Sequence, residues 1–154
     1  MAAFSLIPSD EATELADDIH RLFDDLAQAL PPEHGVYSGE CHPTLDVLET
    51  EAVVEITVDV AGVRIDAIRV LFRAGILLIV GEKAPLRSGG EQTYHLVERE
   101  FGRFARAVRV NGAFDVQGAR ATLRDGELTI VLPKMADRRG AAHRIPVAPS
   151  EPRP

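Results

Sequence analysis

The chain reads as an all-β protein, an antiparallel β-sandwich with an amphipathic helix before it and a flexible tail after it. Three observations predict this. From Pro43 onward the apolar residues recur with period two, turn signals separate short segments at regular spacing, and no helical pattern lies between those segments.

The first element is the exception in period. In "SDEATELADDIHRLFDDLAQALPP", Leu15, Ile19, Leu22, Phe23, Leu26 and Leu30 fall on one stripe with carboxylates opposite, which predicts a helix over about 10–30. Ser9 can cap its start, Asp10 and Glu11 suit the first turn, and Pro31 and Pro32 stop it. Either its apolar face packs on the domain or it meets another molecule. The linker-like "EHGVYSGECH" that follows favours the second. An N-terminal arm, 1–42, is expected on this basis.

The sandwich is expected over 43–133. In "AVVEITVDV", Val54, Ile56, Val58 and Val60 face one side against Glu55, Thr57 and Asp59. After the break at "AGV", "IRVLFR" alternates Ile68, Val70 and Phe72 with Arg69 and Arg73. "AG" turns the chain into "ILLIVGEK", apolar on both faces as a sandwich-core strand should be. "RFARAVRV", "ARATLR", a "DG" turn and "ELTIVLP" supply three more strands, the last with Leu128, Ile130 and Leu132 on one face and Pro133 at its end.

Between them, 84–102 is too long for a tight hairpin. Its centre, around Tyr94, Leu96 and Val97, is strand-like, and such a segment can add itself to another subunit's sheet edge. The C-terminal extension, 134–154, is small, polar or proline-rich. It nevertheless carries Ile145 and Val147 on either side of Pro146, two apolar knobs that point the same way in an extended segment.

The net charge of −7 is unevenly spread: residues 1–42 hold nine acidic groups and one basic, 43–133 thirteen and eleven, 134–154 two and five. Nothing in this balance favours nucleic acid as the main partner. A single cysteine, Cys41, excludes an internal disulfide framework and fits a reducing compartment. With no basic n-region, no long apolar run and no window near the ~20 apolar residues of a membrane span, a cytoplasmic location is expected.

Catalytic patterns are missing: no G-x-S-x-G, no P-loop, no dinucleotide glycine pattern. ATP hydrolysis is not expected, and neither is a cofactor. "ECH" sets Glu40, Cys41 and His42 side by side, but adjacent residues converge poorly on one ion and a second cluster is missing, so no metal site is expected. Cys41 reads as a linker thiol, because no cation-rich context activates it. His95 near Glu98 reads as a loop histidine. Arg106 shares parity with Phe104 and Val108, so it points toward the packed side or an interface. There it needs a carboxylate or carbonyl partner, unless it snorkels at the edge.

"PTLDVLET", "VDVAGV", "LLIVGEK", "ERE-FGRFAR", "ARATLRDGELTIVLPK" and "RIPV" occur in an order and spacing that resemble the small heat shock proteins of the α-crystallin family, of bacterial type, over roughly 43–147. The resemblance implies an immunoglobulin-like sandwich, the α-crystallin domain. It also implies an ATP-independent holdase that keeps partly unfolded client proteins from aggregating, and an oligomer built from dimers. Dimers would form by exchange of a strand from about Thr93 to Val97, giving Tyr94, His95, Leu96, Val97 and Arg106 as interface candidates. Ile145, Pro146 and Val147 match the family's docking motif. Its receiving groove would comprise Ile68, Val70, Ala121 and Leu123 of a neighbouring dimer. Leu15, Ile19, Leu22, Phe23 and Leu26 are candidates for client binding or assembly. The sequence departs from the family pattern at Ala61, where proline is common, and at Glu127, where valine is usual. A single-partner binding or co-chaperone module of the same fold is the alternative. Such a module would lack the tail motif and the exchange loop, and would run as a clean monomer on a sizing column.

Overall fold

In the computed structural model, which describes residues 9–30, 39–85 and 90–135, these residues form one α-helix, a single 3-10 turn at Ile65–Ala67 and seven strands. The helix and strands are α1 (Ser9–Ala29), β1 (Leu45–Glu49), β2 (Val53–Asp59), β3 (Ile68–Arg73), β4 (Ile76–Lys83), β5 (Gly102–Arg109), β6 (Arg120–Arg124) and β7 (Glu127–Pro133). All pairings are antiparallel and give two sheets, β1-β2-β7-β6 and β3-β4-β5. This is the expected sandwich. β1 is the addition. Four of its five residues are exposed, so its alternation carries little hydrophobic signal, and pairing with β2 is what defines it.

Local sequence sets the hairpins. Ala74 and Gly75 have φ of 50° and 76°, Asp125 and Gly126 50° and 82°. Both pairs are two-residue turns with positive φ at each position, whose twist matches that of the strands they join. At "VAGV", Val63 N–H donates to the Val60 carbonyl at 3.0 Å, with Gly62 at φ 80°. Ala61 takes the position where proline is common and the turn still closes. Glu127 pairs across β2 with Asp59 and across β6 with Arg124, and its side chain is exposed, so the charge costs the core nothing.

The main core lies between the sheets. Val54, Ile56, Val58, Leu77, Ile79, Phe104, Leu128, Ile130 and Leu132 are all at most 3 % exposed. A second, smaller core lies on the other side of β3-β4-β5, where Leu26, Leu78 and Val80 pack with Leu15, Ile19, Leu22, Phe23 and Leu71. The protein therefore has three layers: helix, three-stranded sheet and four-stranded sheet. That explains why β4 is apolar on both faces: one faces the sandwich core and the other faces α1.

The expectation that the apolar face of α1 is left for another molecule is corrected at this point. Within the single chain that face covers its own sheet. Three ion pairs fix it there: Asp18–Arg73 at 2.8 Å, Glu14–Arg73 at 3.5 Å and Asp25–Arg69 at 3.2 Å. Arg103 also lies 5.0 Å from the centroid of the Phe23 ring. Asp18 sits on the apolar stripe itself and is buried, and Arg73 answers its charge.

Candidate functional site: sheet edges and apolar faces

The two sheets present their edges in pairs. Arg106, on β5, points to the inner side with Phe104 and Val108, as its parity predicts, and its Nη1 donates to the Pro43 carbonyl just ahead of β1. The β5 and β1 edges therefore share one side of the sandwich, leaving β3 and β6 to share the other. The partner of Arg106 is a carbonyl, not a carboxylate. A hydrogen bond from a charged donor contributes about 1.5–3 kcal/mol, and Arg106→Ala is expected to lose about that in chemical denaturation. Unchanged stability and dimer affinity would show that the bond contributes nothing.

On the β3/β6 side, the groove candidates are brought together unevenly. The register sets Val70 opposite Ile79, Ala121 opposite Ile130 and Leu123 opposite Leu128, so all three face inward. Ile68 does too, and is buried at 8 % exposure. Leu123 is half-buried, but Val70 remains 36 % exposed and Ala121 is exposed. Inward-facing residues that still meet solvent mark a gap between the two sheet edges. Phe72 and Phe114 pack edge to face within the main core, with centroids 5.9 Å apart.

On the other side, residues 91–100 form no strand in the single chain. Tyr94, Leu96 and Val97 are 68, 73 and 64 % exposed, and His95 is exposed. Tyr94, Leu96 and Val97 line a cavity of about 160 Å³ together with Pro85, Glu98, Arg99 and Phe101. The edge strand β1 adds Val47 and Leu48, at 49 and 58 % exposure. The strand expected at the loop centre has no partner in one chain, since an extended segment needs a second edge to satisfy its backbone.

The "ECH" residues line a cleft of about 480 Å³ between α1 and β5, with Phe23, His20 and Arg103. Among the described residues, no group of three or more His, Cys, Asp or Glu is placed to hold a metal ion. Burial pushes the Cys41 thiol up, Lys83 opposes this and Glu100 adds to it, so the thiol is not activated as a nucleophile. The docking motif, Ile145, Pro146 and Val147, lies outside the described residues. No helix among the described residues is long and apolar enough to cross a membrane.

Sequence reasoning missed the outer face of β3-β4-β5. Its signals were the double-sided apolarity of β4 and the arginines at alternate positions of β3 and β5.

A four-stranded and a three-stranded antiparallel sheet packed as a sandwich are the architecture of the α-crystallin-domain class. The comparisons agree: residues 46–148 match the model of the Hsp20/alpha crystallin family. Heat shock protein 16 of Schizosaccharomyces pombe is 31 % identical over 76 % of this chain and 83 % of its own length. Small heat shock protein C4 of Rickettsia felis is 30 % identical over 77 and 72 %. A small heat-shock protein from Xylella fastidiosa, described as having a distinct high order structure, superposes with a TM-score of 0.62 at 28 % identity, covering 71 % of this chain and 98 % of that one. The chain belongs to the Hsp20/α-crystallin family of small heat shock proteins, which act as chaperones in the stress response.

Proposed function

We propose that this protein is an ATP-independent holdase: an oligomer built from dimers that binds partly unfolded proteins and keeps them from aggregating. The observation that carries this reading is the gap on the β3/β6 side, where Val70 and Ala121 face inward and stay exposed. An extended segment bearing Ile145 and Val147 fits such a gap. Each apolar side chain it buries contributes about 1.5–3 kcal/mol, and Pro146 lowers the entropy lost on docking. The gap is then filled by a sister subunit at rest and freed when subunits part.

Dimers follow from the opposite side. The unpaired segment around Thr93 to Val97 and the open edge of β1 each lack what the other offers, and exchange between two subunits satisfies both. Apolar surface opened on a client is worth about 25 cal/mol per Å² when covered. The assembly gains that without nucleotide. The single thiol suits the cytoplasm.

The test is light scattering from a heat-labile client with and without ATP. Suppression at equimolar subunits, the same in both conditions, is expected. No suppression, or strict ATP dependence, would reject the holdase.

A further inference from the structure

The outer face of β3-β4-β5 has a charge pattern that its register makes explicit. Three cross-sheet rows run Arg73–Ile76–Arg109, Leu71–Leu78–Ala107 and Arg69–Val80–Ala105, and beyond them Glu82 pairs with Arg103. The centre is therefore apolar, with arginines at both ends of β3 and both ends of β5. Leu78 and Val80 are at most 2 % exposed, because α1 lies on them. α1 is the complement of this face: an apolar stripe on a helix with seven carboxylates and one arginine between Ser9 and Ala29. Carboxylates on the stripe and beside it meet arginines of the frame, Asp18 and Glu14 at Arg73 and Asp25 at Arg69.

The core beneath α1 is separate from the sandwich core. Leu26, Leu78 and Val80 form one cluster, and the residues between the sheets form another. The body of α1 can therefore lift off without opening the sandwich, while Leu30, directly after it, stays anchored in the core between the sheets. The pairs of Glu14 and Asp25 are exposed and contribute little in isolation, whereas Asp18 is buried against Arg73. What they do is select: a basic or neutral helix laid on the same strip would leave Arg69 and Arg73 unanswered, whereas an acidic one answers them.

We infer that the arginine-framed outer face of β3-β4-β5 is a receptor for acidic amphipathic helices. α1 is its resident ligand, and a matching helix on a client competes for it. This names a client class for the holdase and rests on that reading for its use, but the recognition itself stands on the register and the ion pairs. In the wild-type chain α1 competes at the high effective concentration of a tethered segment, so a free helix binds weakly until α1 is displaced.

The test uses the full chain and a labelled peptide of residues 9–29. Leu26→Asp in the chain alters only the resident helix, whose Leu26 is 1 % exposed in the outer core. Fluorescence anisotropy should show the peptide binding this chain at least tenfold more tightly than wild type. A peptide carrying Asp18→Arg and Asp25→Arg should lose that gain. Adding Arg73→Asp to the chain should reverse the preference in favour of a peptide carrying Asp18→Arg. Far-UV circular dichroism checks the sandwich, and Leu26→Ala with Arg69→Glu, tested against an Asp25→Arg peptide, repeats the experiment where the first chain fails to fold. Equal affinity for native and charge-reversed peptides, or no binding to either opened chain, overturns the receptor. Client suppression measured on the same samples separates the two ideas: suppression without charge preference sinks the receptor alone, and charge preference without suppression sinks the holdase alone.

Discussion

Ile145→Ala combined with Val147→Ala is expected to reduce the oligomer to dimers while the sandwich stays folded. The pair is the stiff apolar feature of an otherwise solvated extension, and its proposed receptor is the gap between the β3 and β6 edges. Truncating both side chains removes most of the apolar area the tail can bury, about 2–4 kcal/mol per docked tail at about 0.8 kcal/mol per buried methylene. In an assembly held by one tail per subunit the loss repeats at every contact, so the effect on mass is large. The dimer should survive, because the proposed exchange around Thr93 to Val97 would use the opposite side of the sandwich. The thermal midpoint should also hold, because the core between the sheets is built from residues 30–132. Light scattering coupled to size exclusion reads the outcome; unchanged mass would show that the tail does not hold the assembly.

The largest loss of stability should come from Gly102→Val. Gly102 opens β5 with φ at 127°, a conformation that side chains other than hydrogen rarely accept. A Cβ there would lie 1.7 Å from the Gly39 carbonyl oxygen, and the same approach seen from Gly39 leaves 2.4 Å to the Phe101 carbonyl oxygen. This contact lets residues 39–41 run along β5, with Cys41 N–H donating to the Arg103 carbonyl at 3.1 Å and Arg103 N–H to the Gly39 carbonyl at 3.2 Å. Valine must strain the backbone, about 1–3 kcal/mol, and push the strands apart, losing two hydrogen bonds of about 1 kcal/mol each. A loss of about 3–5 kcal/mol is expected, a large share of the ~5–15 kcal/mol that holds a domain together. Urea unfolding measures it; a change below 1 kcal/mol would show that the 39–41 segment does not depend on this approach.

Much of the sandwich was legible because its segments obey local rules. "IRVLFR", "ILLIVGEK" and "ELTIVLP" match β3, β4 and β7 residue for residue, since alternation marks β3 and β7, a run apolar on both faces marks β4, and a turn with positive φ bounds each at one end. β1 was not, because an edge strand with exposed side chains has little to alternate. Arg106 could be aimed by parity, but its partner could not be named: the Pro43 carbonyl is 63 residues away in sequence.

The apolar stripe of α1 shows where the reading of residues ended. Leu15, Ile19, Leu22, Phe23 and Leu26 declare a face that must be covered, and they do not say by what. The answer was held in β3 and β4, where Leu71, Leu78 and Val80 form the matching strip and Arg69 and Arg73 meet the acids of the helix.

The sequence by itself determined every strand but β1, the hairpin turns, the helix and the family motifs, because each depends on residues within a few positions of one another. Only the tertiary structure decided that α1 lies on its own sheet, that Val70 and Ala121 face a gap, and that the arginines of two strands frame one surface. Those facts depend on register between distant segments, and a one-residue slip would turn every one of those side chains to the other face.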